Sequence, residues 1–459
     1  MSDELSPDQY RSEADGVFEA MLARVGEGSP RPRLEPTRRV VELLGDPHRA
    51  APVIHLTGTN GKTSTSRLVE AILTAHDLRV GTLTSPHLER FTERIRIDGA
   101  PITDEAVVRN WLDIEPYVGM VDAELETAGE STLTFFEVLT VLAFAAFADA
   151  PVDVVVLEVG MGGEWDSTNV ADAAVAVFTP IDLDHQSRLG RTVEEIARTK
   201  SGIVKPGSAV VSALQQPVAE AVLRDAAARM EGTIAYEGDE FAVLERQPAV
   251  GGQLVSVRGL AGEYRDLVLP LFGAHQAENA AVAIAAVESF LGAGTVPLNP
   301  AVLAAGLAAA ASPGRLQVIG NDPAIVVDAA HNPHGARALV AALAESFGFD
   351  DLVIVFGSLA DKDARGIVEA LAPTGARFLI TPVESERALP AEELGEIVAD
   401  VVGPERVNLY ETLDDALDDA RRWADSAEDE RTRGILVTGS IVLVGEAMAI
   451  AEDREWGGA

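Results

Sequence analysis

The sequence predicts an α/β protein of two domains, each built on a mainly parallel, doubly wound sheet. Three observations predict it. Short runs rich in Val, Ile and Leu alternate with longer segments of helical spacing, the arrangement that lays helices on both faces of a parallel sheet. At 459 residues the chain exceeds what one hydrophobic core holds comfortably. The alternation stops at Ser312-Pro313-Gly314 and then restarts, which sets the domains at 1–312 and 316–459.

Residues 1–50 read as helix and loop, with Pro30, Pro32 and Pro36 breaking the approach to Arg38–Leu44. A strand at 53–57 is followed by a helix at 64–76, where Leu68, Ile72 and Leu73 recur at helical spacing. Then come a strand at 79–84, helices near 104–112 and 133–148, strands at 153–159 and 174–179, and a helix over Thr192–Thr199. Between 231 and 272 the short β-rich segments Phe241–Leu244, Leu254–Val257 and Leu267–Leu269 lie among glycines, which predicts a small antiparallel region. Alanine-rich helical sequence fills 277–310. Past the break, strands at 324–328, 352–356, 377–381, 406–409 and 434–438 alternate with helices near 334–346, 364–372, 391–401, 412–424 and 441–450, a Rossmann-like α/β domain. The acidic segment Asp425–Glu430 reads as a solvated loop. Ligands in such sheets bind beyond the carboxyl ends of the strands, so a site between the domains is expected.

Composition narrows the function. A formal net charge of −37 argues against nucleic acid or an anionic membrane as partner, since either would be repelled. The apolar stretches Val138–Ala148 and Ala301–Ala311 are too short to span a bilayer. Met1-Ser2-Asp3-Glu4 lacks the basic start and apolar core of a secretory signal, so a cytoplasmic protein is expected. With no cysteine, metal ligands are limited to His, carboxylate, hydroxyl and water.

The segment His55-Leu56-Thr57-Gly58-Thr59-Asn60-Gly61-Lys62-Thr63 carries the most chemistry. Gly58 and Gly61 allow a tight turn between strand and helix, and the helix N-terminus favours anions. Thr59 and Asn60 complete the cradle, Lys62 would reach the β/γ-phosphates, and the Thr63 hydroxyl would face a metal. The strict GxxxxGK[ST] pattern fails, because Leu56 stands where the first glycine belongs. This is a variant loop for ATP. Only four lysines occur among 36 basic residues: Lys62, Lys200, Lys205 and Lys362. In a chain that otherwise uses arginine, a retained lysine marks a place for a compact ammonium or a reactive amine. Lys205, just before Pro206-Gly207, reads instead as a surface residue.

Val152-Asp153-Val154-Val155-Val156-Leu157-Glu158-Val159-Gly160 reads as a central strand ending in one exposed acid, Glu158, followed by Met161-Gly162-Gly163, and an acid there beside a phosphate cradle would hold a hard cation. His185, after the neighbouring strand, could meet it. In the second domain Asp328-Ala329-Ala330-His331-Asn332-Pro333, Asp361-Lys362-Asp363 and Thr438-Gly439-Ser440 all follow strands. Helix capping by Asp328, Asp361 and Ser440 would explain each singly, but not Lys362.

Together these motifs resemble the Mur ligase superfamily, and within it the folylpolyglutamate synthase family. The resemblance runs through Gly58–Thr63, Thr84-Ser-Pro-His-Leu88, Phe135-Phe-Glu137, Glu158–Gly163, Asp166-Ser-Thr-Asn169, Asp184-His185, His275-Gln-Ala-Glu-Asn279, Pro313-Gly-Arg-Leu316 and Asp328–Pro333. It implies an ATP-dependent amide ligase: a folate or dihydropteroate carboxylate takes the γ-phosphoryl group, and the amine of L-glutamate attacks the acyl phosphate. It further implies that Ser85, Glu158, His185 and Thr63 bind two Mg²⁺, and that Lys200 is carbamylated and supports the second metal. Asn279 and Arg315 would contact the nucleotide, with Asp328 and His331 supplied by the other domain. Phe135, Glu137, Lys362 and Ser440 would serve the substrates, alongside a monovalent cation; the enzyme would act as a monomer. Two departures stand out: Thr199-Lys200-Ser201-Gly202 replaces the common Glu-Lys-Ala-Gly, and Glu164 stands where arginine is frequent. Two other readings compete. A cell-wall Mur ligase would carry a nucleotide-sugar domain ahead of the phosphate loop, for which about 50 residues are too few. A regulatory P-loop ATPase would not require the Asp328–Pro333 cluster.

Overall fold

The structure is a computed structural model describing residues 5–26, 31–426 and 431–456. The expected breaker Pro30 and most of the acidic segment to Glu430 lie outside the described residues. The chain divides into two compact units, one of 1–245, 256–267 and 278–310 and one of 246–255, 268–277 and 311–459.

In the first unit an eight-stranded sheet runs in the order Ala100–Pro101, Ile95–Ile97, Val80–Leu83, Val154–Glu158, Val53–Thr57, Ala173–Phe178, Ala209–Ser212, Thr233–Tyr236. The six strands from Val80–Leu83 onward are parallel, and the hairpin at one edge is antiparallel. The phosphate-loop strand Val53–Thr57 is central and buried at every position, with the polar His55 and Thr57 set among the apolar Val53, Ile54 and Leu56. Helices cover both faces. Val138, Leu139, Val155 and Leu157 belong to one core, and Ala176, Phe178, Ile196 and Leu223 to another.

The helix expected near 104–112 continues from Asp104 to Thr127, through Pro116. A proline inside a helix costs about 3 kcal/mol. Burial of Val107, Trp111, Ile114, Val118 and Val121 at helical spacing offsets it. Sequence spacing also passed over the strands Ala209–Ser212 and Thr233–Tyr236 and the helix Pro217–Arg229 between them. A three-stranded antiparallel sheet of Ala242–Ala249, Gly252–Arg258 and Glu263–Leu269 fulfils the expectation for the glycine-punctuated region.

The second unit carries a six-stranded sheet ordered Gln317–Asn321, Ala324–Asp328, Arg433–Thr438, Asp351–Phe356, Arg377–Ile380, Val407–Leu409. All its pairings are parallel except the first. The strands alternate with helices Pro333–Ser346, Ala364–Leu371, Ala391–Val402, Leu413–Asp425 and Ile441–Asp453, as the sequence pattern predicts.

Candidate active site

The phosphate loop is shaped by contacts that only glycine allows. Gly58 and Gly61 have φ of +154° and +86°. A Cβ at Gly58 would collide with the Thr179 side chain, and one at Gly61 would lie 2.6 Å from Asn279 Oδ1. Asn279, buried on the helix Ala274–Gly292, therefore lies directly against the turn that also holds Asn60. Thr59 pins the loop to the end of the next strand: its N–H donates to Pro180 O at 2.9 Å, and its hydroxyl donates to Asp182 O and accepts from Asp182 N, both at 3.0 Å. The helix Lys62–Ala75 then starts with no side-chain cap, leaving N-terminal N–H groups for an anion.

Glu158 stands beside this loop because Leu56 pairs with Glu158 across parallel strands. Its carboxylate accepts from the Thr63 hydroxyl at 3.0 Å. Sequence reasoning expected an exposed strand-end acid, yet Glu158 is 1 % exposed, because helices cover both faces of the sheet up to that end. Arg67, one helical turn beyond Thr63, places a largely buried positive charge within electrostatic reach of Glu158 and Glu70. Sequence reading missed it, since nothing in the spacing separates Arg67 from an ordinary helix-face arginine. Among the described residues no group of three or more His, Asp and Glu side chains converges to hold a metal. The hydroxyl and carboxylate oxygens of Thr63 and Glu158, paired at the mouth of a phosphate cradle, nonetheless match the donor chemistry of Mg²⁺.

The segment after Glu158 ties three elements together. Thr57 Oγ1 donates to Gly162 O at 2.7 Å, anchoring it to the phosphate-loop strand. Asp166 accepts from Met161 N at 3.0 Å and from Thr168 Oγ1 at 2.5 Å, and Thr168 Oγ1 lies 2.8 Å from His55 Nε2. On its other side Glu164 N donates to Thr199 O at 2.9 Å, and a Cβ at Gly163 would lie 2.7 Å from Lys200 O. Lys200 itself is buried and donates from Nζ to Gly58 O at 2.7 Å. Burial first, and the Lys62 charge second, pull its amine down to about 7, against the opposing pull of Asp184 and Asp166. Lys62 Nζ curls back to Gly58 O and Thr59 O at 3.1 and 3.2 Å.

Ser85 follows the strand Val80–Leu83 and is joined to Pro86 by a cis peptide bond. His185 opens a short helix in the left-handed region, with its N–H donating to Asp184 Oδ1 at 2.8 Å and its ring 3.9 Å from Asp184 Oδ2. Phe135 is buried beneath the Arg94 guanidinium, 5.2 Å from its ring centroid, and in edge contact with Phe18. Both Glu137 oxygens are engaged within the chain, by Arg33 at 3.0 Å each and, on one of them, by Thr134 N at 2.7 Å. Glu137 thus braces the wall on which Phe135 sits.

In the second unit Asp328 accepts from Leu316 N at 2.9 Å and Ala330 N at 2.8 Å, and Thr438 donates to its carbonyl at 2.7 Å. Burial pushes the Asp328 carboxyl up, while Arg315 opposes the shift. His331 Nδ1 lies 2.9 Å from Ala329 O. Asp328 and Asp361 do not cap helices: the N-caps are Asn332 and Asp363, so the capping explanation fails for both. Ser440 does cap Ile441–Asp453, accepting from Val442 N at 3.3 Å. Pro333 takes the first turn of its helix, as its fixed φ favours. Lys362 sits in the loop after Asp351–Phe356, its N–H on Leu359 O and its neighbour Asp361 paired with Arg387 at 2.6 Å.

The parallel sheet, the variant phosphate loop and its companion acid define an ATP-dependent ligase of the Mur superfamily. The Mur ligase middle domain pattern matches residues 56–287, and the Mur ligase glutamate ligase domain matches 314–441. The chain belongs to the folylpolyglutamate synthase family. It is 45% identical over 443 residues to a Mycobacterium tuberculosis dihydrofolate synthase/folylpolyglutamate synthase, covering 92% of this chain and 91% of the relative. To an Escherichia coli dihydrofolate synthase/folylpolyglutamate synthase it is 33% identical, covering 93% and 92%. Among solved structures, M. tuberculosis folylpolyglutamate synthase complexed with ADP and AMPPCP superposes with a TM-score of 0.92 at 44% identity, over 96% of this chain and 99% of that one. E. coli FolC in complex with DHPP and ADP gives 0.82 at 30%, over 97% and 98%. Among the described residues no helix is long and apolar enough to cross a membrane.

Proposed function

We propose that this chain joins L-glutamate to the carboxylate of a pterin-bearing substrate, using ATP and passing through an acyl phosphate. The observation that carries this reading is the phosphate loop with the Thr63–Glu158 pair at its mouth and Lys200 hydrogen-bonded to its Gly58 carbonyl. The substrate carboxylate attacks the γ-phosphorus and ADP leaves; the glutamate amine then attacks the acyl carbon, forming the amide as phosphate departs and the amine sheds a proton. Lys62 and the loop N–H groups hold the phosphates in line. Thr63, Ser85, Glu158, His185 and a carbamylated Lys200 would hold Mg²⁺, which supplies positive charge where phosphate oxygens gather it. Carbamylation is supported by the burial of the only lysine in that helix, since arginine cannot form the adduct.

The remaining roles follow the family resemblance. Residues 1–312 form the ATP-binding domain, with Asn279 against the nucleotide, and 316–459 form the glutamate ligase domain. Arg315, in the connection between the two domains, serves the nucleotide; from the second of them Asp328 and His331 serve the nucleotide and the transfer, and Lys362 and Ser440 receive substrate carboxylates. Phe135 packs behind the pterin, and Glu137 holds that wall in place. A monovalent cation accompanies the metals, and the enzyme works as a cytoplasmic monomer.

One site serves both dihydropteroate and reduced folates, because both reactions activate a carboxylate and join it to the same amine. The paired activities in the names of the M. tuberculosis and E. coli relatives support this. The test is ADP release with L-glutamate and either dihydropteroate or tetrahydrofolate, with product masses read afterwards. Glutamate-independent ADP release would overturn the ligase reading, and extension of tetrahydrofolate alone would remove the dual activity.

A further inference from the structure

We infer that His55 is a positioning residue, acting through Thr168 and Asp166 to fix the backbone that carries Glu158. His55 lies in the middle of the phosphate-loop strand and is fully buried. The direction of each hydrogen bond follows from chemistry. The Asp166 carboxylate accepts from Met161 N, Thr168 N and Thr168 Oγ1. A hydroxyl has one proton to give, and Thr168 gives it to Asp166, so toward His55 it only accepts. His55 therefore donates from Nε2, at 2.8 Å. Burial pulls its pKa to about 3, so the ring is neutral and Nδ1 is the bare nitrogen.

That Nδ1 is buried without a hydrogen-bond partner among the described residues. A buried polar atom left unpaired disfavours the fold, and an apolar side chain of the same shape would avoid the penalty. Stability alone thus gives little reason for a histidine between the buried Ile54 and Leu56. The position of the far end of the relay supplies one. Asp166 holds Met161 N, three residues beyond Glu158, while Thr57 from the same strand as His55 holds Gly162 O. Two side chains of the phosphate-loop strand thereby grip successive residues of the loop that sets where the Glu158 carboxylate meets Thr63. The relay contributes orientation, without contact to any reacting atom.

The test compares His55→Leu, His55→Gln and Thr168→Val, and rests on the ligase reading only for its kinetic arm. His55→Leu is expected to keep or raise the melting temperature, to speed deuterium exchange of the 159–163 backbone about tenfold, and to lower kcat about tenfold to hundredfold with KM for ATP nearly unchanged. Glutamine, which can present an N–H to Thr168, should recover part of both effects. The His55→Leu, Thr168→Val double variant should lose no more than the worse single variant. Unchanged exchange in His55→Leu overturns the inference. So does faster exchange with wild-type turnover, or equal losses in the leucine and glutamine variants with lowered melting temperature. Exchange is measured without substrate, so failure of the ligase reading would show in the wild-type assay and leave this arm intact.

Discussion

Lys62 and Lys200 donate to the same acceptor, the Gly58 carbonyl, at 3.1 and 2.7 Å. Two ammonium groups on one oxygen repel each other, and the Lys62 charge is the second cause, after burial, of the lowered Lys200 pKa. Conversion of Lys200 to an anionic carbamate would turn this repulsion into attraction. Lys200→Ala is expected to lower kcat by about a hundredfold or more, the scale of losing a preorganised charge in a closed site. A small added carboxylate should recover part of that activity, and Lys200→Arg should show no such recovery. Near-normal turnover in a folded Lys200→Ala enzyme would end the carbamate reading.

Glu158→Gln keeps the volume of a buried side chain and removes only its charge. Turnover should fall by roughly a hundredfold to a thousandfold, with a rise in the Mg²⁺ concentration needed for half-maximal rate. Melting temperature should move little, since Arg67 retains Glu70 as a partner. A magnesium titration of both proteins checks this, and superimposable curves would remove Glu158 from the metal site.

Gly61→Ala meets two obstacles, a φ of +86° and the Asn279 side chain 2.6 Å from the new methyl. The left-handed backbone alone costs about 1–2 kcal/mol for a non-glycine residue. Nucleotide affinity measured by calorimetry should drop. In an Asn279→Ala background the same substitution should cost less, because one obstacle is gone while the backbone strain persists. Fully additive losses would mean that Gly61 and Asn279 do not meet.

Burial raises the Glu237 carboxyl from 4.5 to about 7, although Leu214 N donates to it at 3.0 Å. Below 4.5 both folded and unfolded chains hold the proton and the residue has no effect. As pH rises through the window to about 7 the unfolded chain releases its proton first, so stability is lost there and then levels off. Glu237→Gln should therefore be more stable than the wild type by about 1–3 kcal/mol near pH 8 and indistinguishable near pH 4. Denaturant melts at the two pH values decide it; a stabilisation equal at both would point to packing instead.

The phosphate loop and the parallel sheets were legible because they are local: Val53, Ile54 and Leu56 mark a short buried strand, and the two glycines, Lys62 and Thr63 adjoin it in sequence. The strand Ala209–Ser212 and the edge strand Thr233–Tyr236 beside it were not, since four residues carry too little periodicity to stand out. Nor could local spacing reveal His55 and Thr168, which are 113 residues apart and meet only because the fold lays the turn Ser167–Val170 against the middle of the phosphate-loop strand. Arg33 and Glu137 are hidden in the same way, at 104 residues. At the second-domain turns the sequence reading offers Asp328 and Asp361 as caps, whereas the observed caps are Asn332 and Asp363. Which one turns its oxygen to the helix depends on a neighbour: Asp328 is taken by the Leu316 and Ala330 N–H groups, leaving Asn332 to accept from Gly335 N.

The approach of Gly163 to the Lys200 carbonyl is a contact of backbone with backbone, so the span from Glu158 to Lys200 is measured in peptide units and owes nothing to side-chain size at that point. A gauge of this kind is indifferent to most point changes nearby and intolerant of any change in chain length. Random insertion of single residues along the gene should accordingly leave a gap in the recovered functional clones between Glu158 and Asn169. The hairpin turn at Val250-Gly251, exposed at its tip, should accept them freely.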